Sequence, residues 1–214
     1  MIPIDAILFD VGNVLAIFRW ENIWEEIARY SPFSSSEIGE KLNGAGFLKF
    51  ENGEISSQTF FQRCHTLMKF TQDFTVDQFR DTFHVGTEPN PGIEEILEKL
   101  NPKVKISIFS NNNPINWSHA LAKLPVITQF FPNESQHILS FEVGFLKPSP
   151  VMFDEALKRS KCQGEKILYI DDNQEYVNAF RKRFHGHGLK YNCQTDSLSS
   201  LCVMLAEYDV FSHE

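Results

Sequence analysis

The chain repeats one pattern, in which a short apolar segment ends abruptly in polar residues. The segments Ile4–Phe9, Val104–Phe109 and Lys166–Ile170 are rich in Ile, Leu or Phe, and polar side chains follow each of them at once. Short apolar runs of this kind are typical of parallel strands that are buried on both faces of a sheet. We therefore predict three strands, each with a polar cluster at its carboxyl end.

Segments with helical periodicity alternate with these strands. Apolar residues at helical spacing mark Pro91–Leu100, Pro150–Arg159 and Tyr176–Phe184, and the first two begin with proline, which is favoured in the first turn of a helix. Alternating strands and helices are typical of an open, mostly parallel sheet with helices on both faces. The sequence thus predicts a doubly wound, Rossmann-like α/β fold, in which ligands bind at the carboxyl ends of the strands.

Residues 16–88 differ from the rest of the chain, because they show helical patterns and no convincing strand. Helices are predicted over Trp20–Tyr30 and Ser57–Phe70, and their aromatic stripes are expected to form a core. We interpret residues 16–88 as an inserted helical cap domain that covers the site. Residues 1–15 and 89–214 then form the α/β core domain.

Composition limits the partners and the location of the protein. The chain has 214 residues and a formal net charge of -8, which argues against nucleic acid or an anionic membrane as a partner. No apolar run approaches the ~20 residues that span a bilayer, and no basic and apolar leader begins the chain. Its four cysteines show no Cys-x-x-Cys pair and no zinc-finger spacing. We expect a cytoplasmic protein, and the sequence leaves its oligomeric state open.

Chemically active side chains follow the predicted strands. Asp10 ends the first strand and Gly12 comes soon after it, Ser110 ends the second strand, and Asp171 and Asp172 follow the third. The carboxyl ends of parallel strands meet at one edge of the sheet, so these residues are expected to converge. A carboxylate at such an edge can attack phosphorus or bind a metal ion.

Four short motifs occur in the order typical of one enzyme superfamily. They are Asp10-x-Gly12-Asn13-Val14, Ser110-Asn111, Lys147-Pro148 and Asp171-Asp172. With these motifs the whole chain resembles the haloacid dehalogenase-like superfamily, and the helical insertion matches the cap between that superfamily's first and second motifs. The Asp-x-Gly-Asn-Val variant is similar to a branch that includes bacterial α-glucose-1-phosphate phosphatase.

The resemblance implies catalysis through an aspartyl-phosphate. Asp10 would be the nucleophile, and Lys147 would place a positive charge beside the transferring group. Ser110 and the backbone amide of Asn111 would donate hydrogen bonds to the phosphoryl oxygens, and the loop at Gly12 would lie against the phosphate. The expected substrate is a small phosphorylated metabolite, with a sugar phosphate as the leading candidate.

The resemblance also implies a Mg²⁺ site. Its ligands would be Asp10, the carbonyl of Gly12 and the pair Asp171 and Asp172, because Mg²⁺ prefers oxygen ligands. Asp172 aligns better with the family's direct ligand, whereas Asp171 would hold Lys147 or a metal-bound water. The sequence leaves the assignment between these two aspartates open.

Gly12 departs from the family's usual pattern, and it keeps two alternatives open. Most phosphatases of the superfamily carry a second aspartate at this position, which acts as general acid and then as base. Its absence predicts a preference for easily departing groups, such as those of sugar 1-phosphates. It also allows a catalytically impaired regulator that binds phosphate or metal. A 2-haloacid dehalogenase, which needs no metal, is the other alternative, and the adjacent Asp171 and Asp172 argue against it.

Substrate selection is expected from cap side chains that face the site. The candidates are Arg19, Trp20, Phe47, Lys49 and Glu51. Arg19 and Trp20 are preferred because they follow the nucleophile loop closely, but the sequence does not show which of the five point inward.

Overall fold

The computed structural model describes residues 3–212. It contains the strands β1 (Ala6–Phe9), β2 (Ala16–Phe18), β3 (Thr87–Pro89), β4 (Lys105–Ser110), β5 (His137–Leu139), β6 (Ile167–Asp171) and β7 (His187–Lys190). Five of them form a parallel sheet in the order β5-β4-β1-β6-β7, and β2 and β3 form a separate antiparallel ribbon. The predicted α/β fold with a mostly parallel sheet is confirmed.

Twelve α-helices occur among the described residues. They are α1 (Trp20–Ala28), α2 (Ser35–Gly44), α3 (Phe47–Glu51), α4 (Ser57–Met68), α5 (Val76–Asp81), α6 (Ile93–Glu98), α7 (Pro114–Lys123), α8 (Pro125–Phe130), α9 (Ser140–Val143), α10 (Pro150–Ser160), α11 (Gln174–Phe184) and α12 (Leu198–Ala206). Within residues 3–212, no helix has both the length and the apolar character needed to cross a membrane.

The central strand β1 contributes side chains to a core on each face of the sheet. Ile7 and Phe9 pack with residues of α6, α7, α8 and α12, whereas Ala6 and Leu8 pack with residues of α10 and α11. Alternate side chains of a strand point to opposite faces, so a strand buried on both sides must be apolar throughout. This explains why β1 was recognisable in the sequence.

The predicted strands are confirmed as β1, β4 and β6, with small shifts at their ends. The outer strands β5 and β7 were not predicted. Both are short and begin with a histidine, and β7 also contains a glycine. They therefore carry fewer apolar residues than the three inner strands do.

Helices α1 to α5 surround a second, aromatic core. Its fully or nearly buried phenylalanines are Phe50, Phe60, Phe61, Phe70, Phe74, Phe79 and Phe83. The interpretation of the aromatic stripes as core is confirmed. The division of the chain into a cap of residues 16–88 and a core domain of residues 1–15 and 89–214 stays a prediction, and residues 1–2 and 213–214 lie outside the described range.

The expectation of no strand within residues 16–88 was wrong. The ribbon of β2 and β3 joins the two ends of this segment, with Ala16 opposite Pro89 and Phe18 opposite Thr87. Each strand has three residues, too few for a period-two pattern. The ribbon arises because the fold brings the two ends of the segment together.

Several helix ends differ from the prediction for backbone reasons. Helix α6 begins at Ile93 rather than Pro91, because Gly92 has a φ of 86° and therefore cannot belong to a right-handed helix. Helix α4 ends at Met68 because Lys69 has a φ of 50°, which is the left-handed conformation common after a helix.

Candidate active site

The carboxyl ends of β1, β4 and β6 bring the predicted chemical groups to one edge of the sheet. Asp10 follows β1, Ser110 ends β4, and Asp171 and Asp172 lie at the end of β6. One carboxylate oxygen each from Asp10, Asp171 and Asp172 lie within 4.8 Å of one another. The convergence expected from a parallel sheet is present.

Lys147 is the buried cation of this cluster, with a side chain that is 1% exposed. Its Nζ lies 2.6 Å from Oδ2 of Asp171 and 3.2 Å from Oδ1 of Asp10. Burial by itself disfavours the charged ammonium, but the carboxylates of Asp10 and Asp171 outweigh it, so the pKa of Lys147 lies above its ordinary value. The group therefore stays positive beside the predicted nucleophile.

Asn111 fixes the backbone of the Lys147 loop. Its Oδ1 accepts a hydrogen bond from the Lys147 amide at 2.7 Å, and its Nδ2 donates to the Lys147 carbonyl at 3.2 Å. The peptide bond between Lys147 and Pro148 is cis. This side-chain role of Asn111 was not predicted, whereas its backbone contact with phosphate stays a prediction.

Asp171 is fully buried and its hydrogen-bonding capacity is used by the protein. Its Oδ2 accepts from Lys147 at 2.6 Å and also from the hydroxyl of Tyr169, and its Oδ1 accepts from the amide of Asn173 at 2.8 Å. These contacts hold Asp171 against Lys147 and away from open space.

Asp172 is only half-buried and lines the open cavity of the site. Its Oδ2 accepts a hydrogen bond from Nδ2 of Asn13 at 3.0 Å. Asn13 adopts the left-handed conformation, with a φ of 58°, directly after Gly12. This geometry favours Asp172 over Asp171 as the aspartate that would contact a bound cation.

The electrostatics of the site leave negative charge without full compensation. Burial raises the pKa of Asp10 to about 7, against the attraction of Lys147 and with a further increase from Asp171. Burial also raises the pKa of Asp172. A divalent cation between these two carboxylates would favour their ionised forms, so the donor set fits a metal ion.

Gly12 has room for a side chain. A Cβ added there would meet only Cβ of Phe18, at an ordinary contact distance of 3.8 Å. Its φ is not among the positive values of the chain. Neither the backbone conformation nor crowding at the Cβ position requires a glycine at position 12.

A cavity of about 150 Å³ opens above the cluster. Residues at the carboxyl ends of β1, β4 and β6 form most of its lining, and Trp20 and Glu51 contribute from α1 and α3. Pockets for drug-sized ligands are usually roughly 300–1,000 Å³, so this cavity suits a small ligand.

Arg19 does not belong to the cavity lining. Its Nη1 forms an exposed ion pair with Oε2 of Glu88 at 2.9 Å, beside the β2 and β3 ribbon. The side chain therefore turns toward the opposite strand of the ribbon. Of the two preferred candidates for substrate contact, the structure puts only Trp20 in the cavity wall.

Of the remaining candidates for substrate contact, Phe47, Lys49 and Glu51, only Glu51 lines the cavity. Phe47 packs edge-on against Trp20 with ring centroids 5.0 Å apart, and Lys49 is 59% exposed beside Glu54. Glu51 is the charged side chain of the group that reaches the cavity. Sequence spacing could not show this, because α3 is a helix of only five residues.

Asn116 is a cavity residue that the sequence analysis missed. It lies in the first turn of α7 with 7% of its surface exposed, and its Oδ1 has no hydrogen-bond partner among the described residues. A buried, unpaired acceptor in a cavity wall is available to a ligand hydroxyl. The run Asn111-Asn112-Asn113 after β4 marked this loop as polar but did not reach as far as Asn116.

The turn at residues 51–53, called the cap turn here, is bonded to Ser140 at the start of α9. The hydroxyl of Ser140 donates to the carbonyl of Glu51 at 2.6 Å and accepts from the amide of Asn112 at 2.9 Å. Gly53 packs so closely on Phe141 that a Cβ would overlap the carbonyl oxygen of Phe141. Ser140 thus joins the cap turn to the loop that follows β4.

We expect Gly53→Ala to displace the cap turn and thereby to lower kcat for the reaction at this site. Gly53 has a φ of 75°, and a side chain there adds a clash with backbone to the cost of the left-handed conformation, which is about 1 kcal/mol. Gly44→Ala is the matched control, because a Cβ there meets nothing within 4 Å. Steady-state kinetics and thermal unfolding of both variants measure the effect, and equal kcat values for the two would contradict it.

The sequence and structure agree with one hydrolase family. Residues 4–182 match the haloacid dehalogenase-like hydrolases. The chain belongs to this family. The family resemblance inferred from the four motifs is thereby confirmed, and so is the assignment as a hydrolase.

Solved structures of the family share the fold. A haloacid dehalogenase-family enzyme from Bacteroides thetaiotaomicron, in complex with magnesium and inorganic phosphate, superposes with a TM-score of 0.80 at 21% identity, over 92% of this chain and 98% of that one. A predicted hydrolase from Porphyromonas gingivalis gives 0.78 at 21% identity, over 94% and 98%. The L-2-haloacid dehalogenase of Xanthobacter autotrophicus gives 0.62 at 17% identity, over 97% and 84%.

A curated relative is much longer than this chain. The drimenol cyclase of Aspergillus calidoustus is 21% identical over 182 residues, which are 82% of this chain and 32% of the cyclase. The chain therefore spans about a third of that protein.

Proposed function

We propose that the protein is a Mg²⁺-dependent phosphatase that hydrolyses a small phosphorylated metabolite through an aspartyl-phosphate on Asp10. The observation that carries the proposal is the position of Lys147, whose buried Nζ lies 3.2 Å from Asp10 beneath an open cavity. A fixed positive charge beside a nucleophile stabilises the charge on a transferring phosphoryl group. The Bacteroides enzyme in complex with magnesium and inorganic phosphate supports the same chemistry.

Each residue at the cavity floor has a role in this reaction. The Asp10 carboxylate attacks phosphorus, while the hydroxyl of Ser110 and the amide of Asn111 hold phosphoryl oxygens. Lys147 balances the negative charge that the substrate adds to the buried cluster. Asn111 and Asp171 fix Lys147 from opposite ends, through its backbone and its ammonium.

Three groups would hold the cation. They are the carboxylates of Asp10 and Asp172 and the carbonyl of Gly12, all from the cavity wall. When bound, Mg²⁺ would neutralise carboxylate and phosphate charge and orient the phosphate for attack. The raised pKa values of Asp10 and Asp172 support this assignment, because burial disfavours both ionised carboxylates and a bound cation would favour them.

The substrate is proposed to be small because residues 16–88 act as a cap. Trp20 and Glu51 enclose the cavity above Asp10. A sugar phosphate suits the site, since polar groups such as Oδ1 of Asn116 are available for ring hydroxyls. A folded phosphoprotein would not fit under this cap.

A phosphate-release assay tests the proposal. The panel contains sugar 1- and 6-phosphates, p-nitrophenyl phosphate and a folded phosphoprotein, each with Mg²⁺ and with excess EDTA. Mg²⁺-dependent release from the small esters supports the proposal. Halide release from 2-chloropropionate in EDTA would instead establish a dehalogenase, and phosphate binding without turnover would establish an impaired regulator.

Mg²⁺ should also raise the Tm of the protein, and more at pH 8 than at pH 5. The pKa of Asp10 is raised from 3.8 to about 7, so the metal-free carboxyl keeps its proton below that value and Mg²⁺ must displace it. At a concentration of 100 times Kd the stabilisation would be about 2.7 kcal/mol.

The matched control for this measurement is an aspartate outside the cavity. Asp172→Ala should remove most of the Mg²⁺-induced rise in Tm, whereas exposed Asp73→Ala should preserve it. The same rise in Tm for Asp172→Ala and wild type would contradict the assigned site.

A further inference from the structure

We infer that Glu51 is the proton donor and proton acceptor of the proposed phosphatase reaction, in place of the aspartate that is absent at position 12. The inference rests on the proposed function, and it assigns the leaving-group chemistry to the cap segment instead of the nucleophile loop.

The position of Glu51 carries this inference. Its side chain reaches the cavity that Asp10, Gly12 and Ser110 line from below. In-line attack by Asp10 puts the leaving group on the opposite side of phosphorus, and in a cavity of about 150 Å³ that group would occupy the same space that Glu51 lines. Gly12, where an added Cβ would be uncrowded, lines the same cavity.

The backbone of Glu51 is hydrogen-bonded to a residue that also contacts the loop after β4. Ser140 donates to its carbonyl at 2.6 Å and simultaneously binds the loop that follows Ser110. Gly53 permits the cap turn to contact the backbone of Phe141. The turn that carries Glu51 is thus fixed relative to the phosphate-binding loop.

The other cavity carboxylates are already engaged. Among the described residues that line the cavity, the acidic ones are Asp10, Glu51 and Asp172. Asp10 is the nucleophile and Asp172 is held by Asn13 beside the proposed cation. Glu51 is the acidic side chain that remains for proton transfer.

The surroundings of Glu51 suit a group that must both give and take a proton. Burial raises its pKa to about 7, the charge of Asp10 adds to the increase, and Lys147 opposes it. The pKa of Tyr176 is raised mainly by burial, and the charge of Glu51 adds to this increase. A carboxyl with a pKa near the working pH is present in both forms, as acid–base catalysis requires.

The two steps balance with Glu51 in this role. In the first, an oxygen of Asp10 bonds to phosphorus, the bond from phosphorus to the leaving oxygen breaks, and the Glu51 carboxyl gives that oxygen its proton. In the second, water attacks phosphorus, Glu51 takes the proton from water, and the bond between phosphorus and Asp10 breaks. Inorganic phosphate leaves, and both carboxyl groups return to their starting forms.

Glu51→Gln tests the assignment because it removes the ionisable carboxyl. The shape of the side chain and the hydrogen bond between the backbone carbonyl of residue 51 and Ser140 are retained. For primary-alcohol phosphates kcat should fall by ~10²–10⁴-fold, whereas p-nitrophenyl phosphate, whose leaving group needs little protonation, should lose far less. The limb of the pH profile that belongs to Glu51 should disappear. Glu54→Gln is the matched control, since Glu54 is 54% exposed in the same segment.

A second variant makes the test specific for proton transfer. Gly12→Asp in the Glu51→Gln background should raise kcat at least tenfold above that of Glu51→Gln alone, because a side chain at position 12 is uncrowded at its Cβ and would extend from the wall of the same cavity. Glu51→Asp, which keeps a carboxyl, should preserve the pH limb at a lower rate. The Glu51→Asp variant tests the inference even if Glu51→Gln folds poorly.

Two outcomes would overturn the inference. One is an unchanged kcat and pH profile in Glu51→Gln. The other is an equal loss for both substrate types with no rescue by Gly12→Asp, which would indicate a structural role. Either result leaves the phosphatase proposal in place, whereas a wild-type protein that releases no phosphate from any ester would defeat that proposal itself.

Discussion

Asp10→Asn should lower kcat for phosphate esters by ~10³-fold or more while the protein stays folded. An amide is a poor nucleophile and a weak ligand for Mg²⁺, so both proposed functions of Asp10 are lost. The fold should tolerate the change, because the Asn side-chain oxygen can still accept the hydrogen bond that the amide of Val11 gives to Asp10 at 2.8 Å. Removal of a buried carboxyl with a pKa of about 7 also relieves a charge that the metal-free site compensates poorly.

Steady-state phosphate release and thermal unfolding of Asp10→Asn measure the two halves of this expectation. Asp5→Asn is the matched control at the other end of β1, where Asp5 forms a half-exposed ion pair with Lys166 at 3.3 Å. More than a few per cent of wild-type kcat in Asp10→Asn would exclude Asp10 as the nucleophile.

Lys147→Met should have the largest effect on stability. The substitution keeps most of the apolar stem but leaves the fully buried Asp171 without its cation, and breaking a buried ion pair costs about 3–5 kcal/mol. The same change removes the charge beside Asp10, so kcat should fall by ~10² or more. Denaturant unfolding and phosphate release report the two losses separately.

A double variant separates the ion pair from general damage to packing. Lys147→Met combined with Asp171→Asn removes both charges, so it should lose less stability than the two single losses added together. Lys166→Met breaks the half-exposed pair with Asp5 and should cost only about 0.2–1 kcal/mol. A similar loss in Lys147→Met and Lys166→Met would contradict a structural role for the buried cation.

The parts of the fold that the sequence predicted are those with local patterns. β1 and β6 are buried along their whole length and are mostly apolar, β4 carries Ile106, Ile108 and Phe109, and α10 begins with a proline. The ribbon of β2 and β3 and the edge strands β5 and β7 have no such pattern. Their pairing depends on partners that are distant in the chain.

In the candidate site, too, the sequence predicted the residues with a local pattern, and it did not predict the contacts between distant residues. Asp10, Ser110, Asp171 and Asp172 could be proposed from the sequence because each lies where an apolar segment ends, and Lys147 because it lies in a family motif. The interaction of Asn111 with the Lys147 backbone links residues that are 36 positions apart. The ion pair of Arg19 with Glu88 likewise depends on the ribbon, which is why sequence proximity to Asp10 was a poor guide to its direction.

The sequence by itself determined the family, the parallel sheet and the edge of the sheet at which the chemistry gathers. Periodicity and the ends of apolar strands are properties of neighbouring residues, and they survive without knowledge of the tertiary contacts. The tertiary structure decided which aspartate holds Lys147, which cap side chains reach the cavity and how Glu51 acquires a pKa of about 7. Folding brings the carboxylates of Asp10, Asp171 and Asp172 to within 4.8 Å of one another, and it lets the charge of Asp10 raise the pKa of Glu51 on α3.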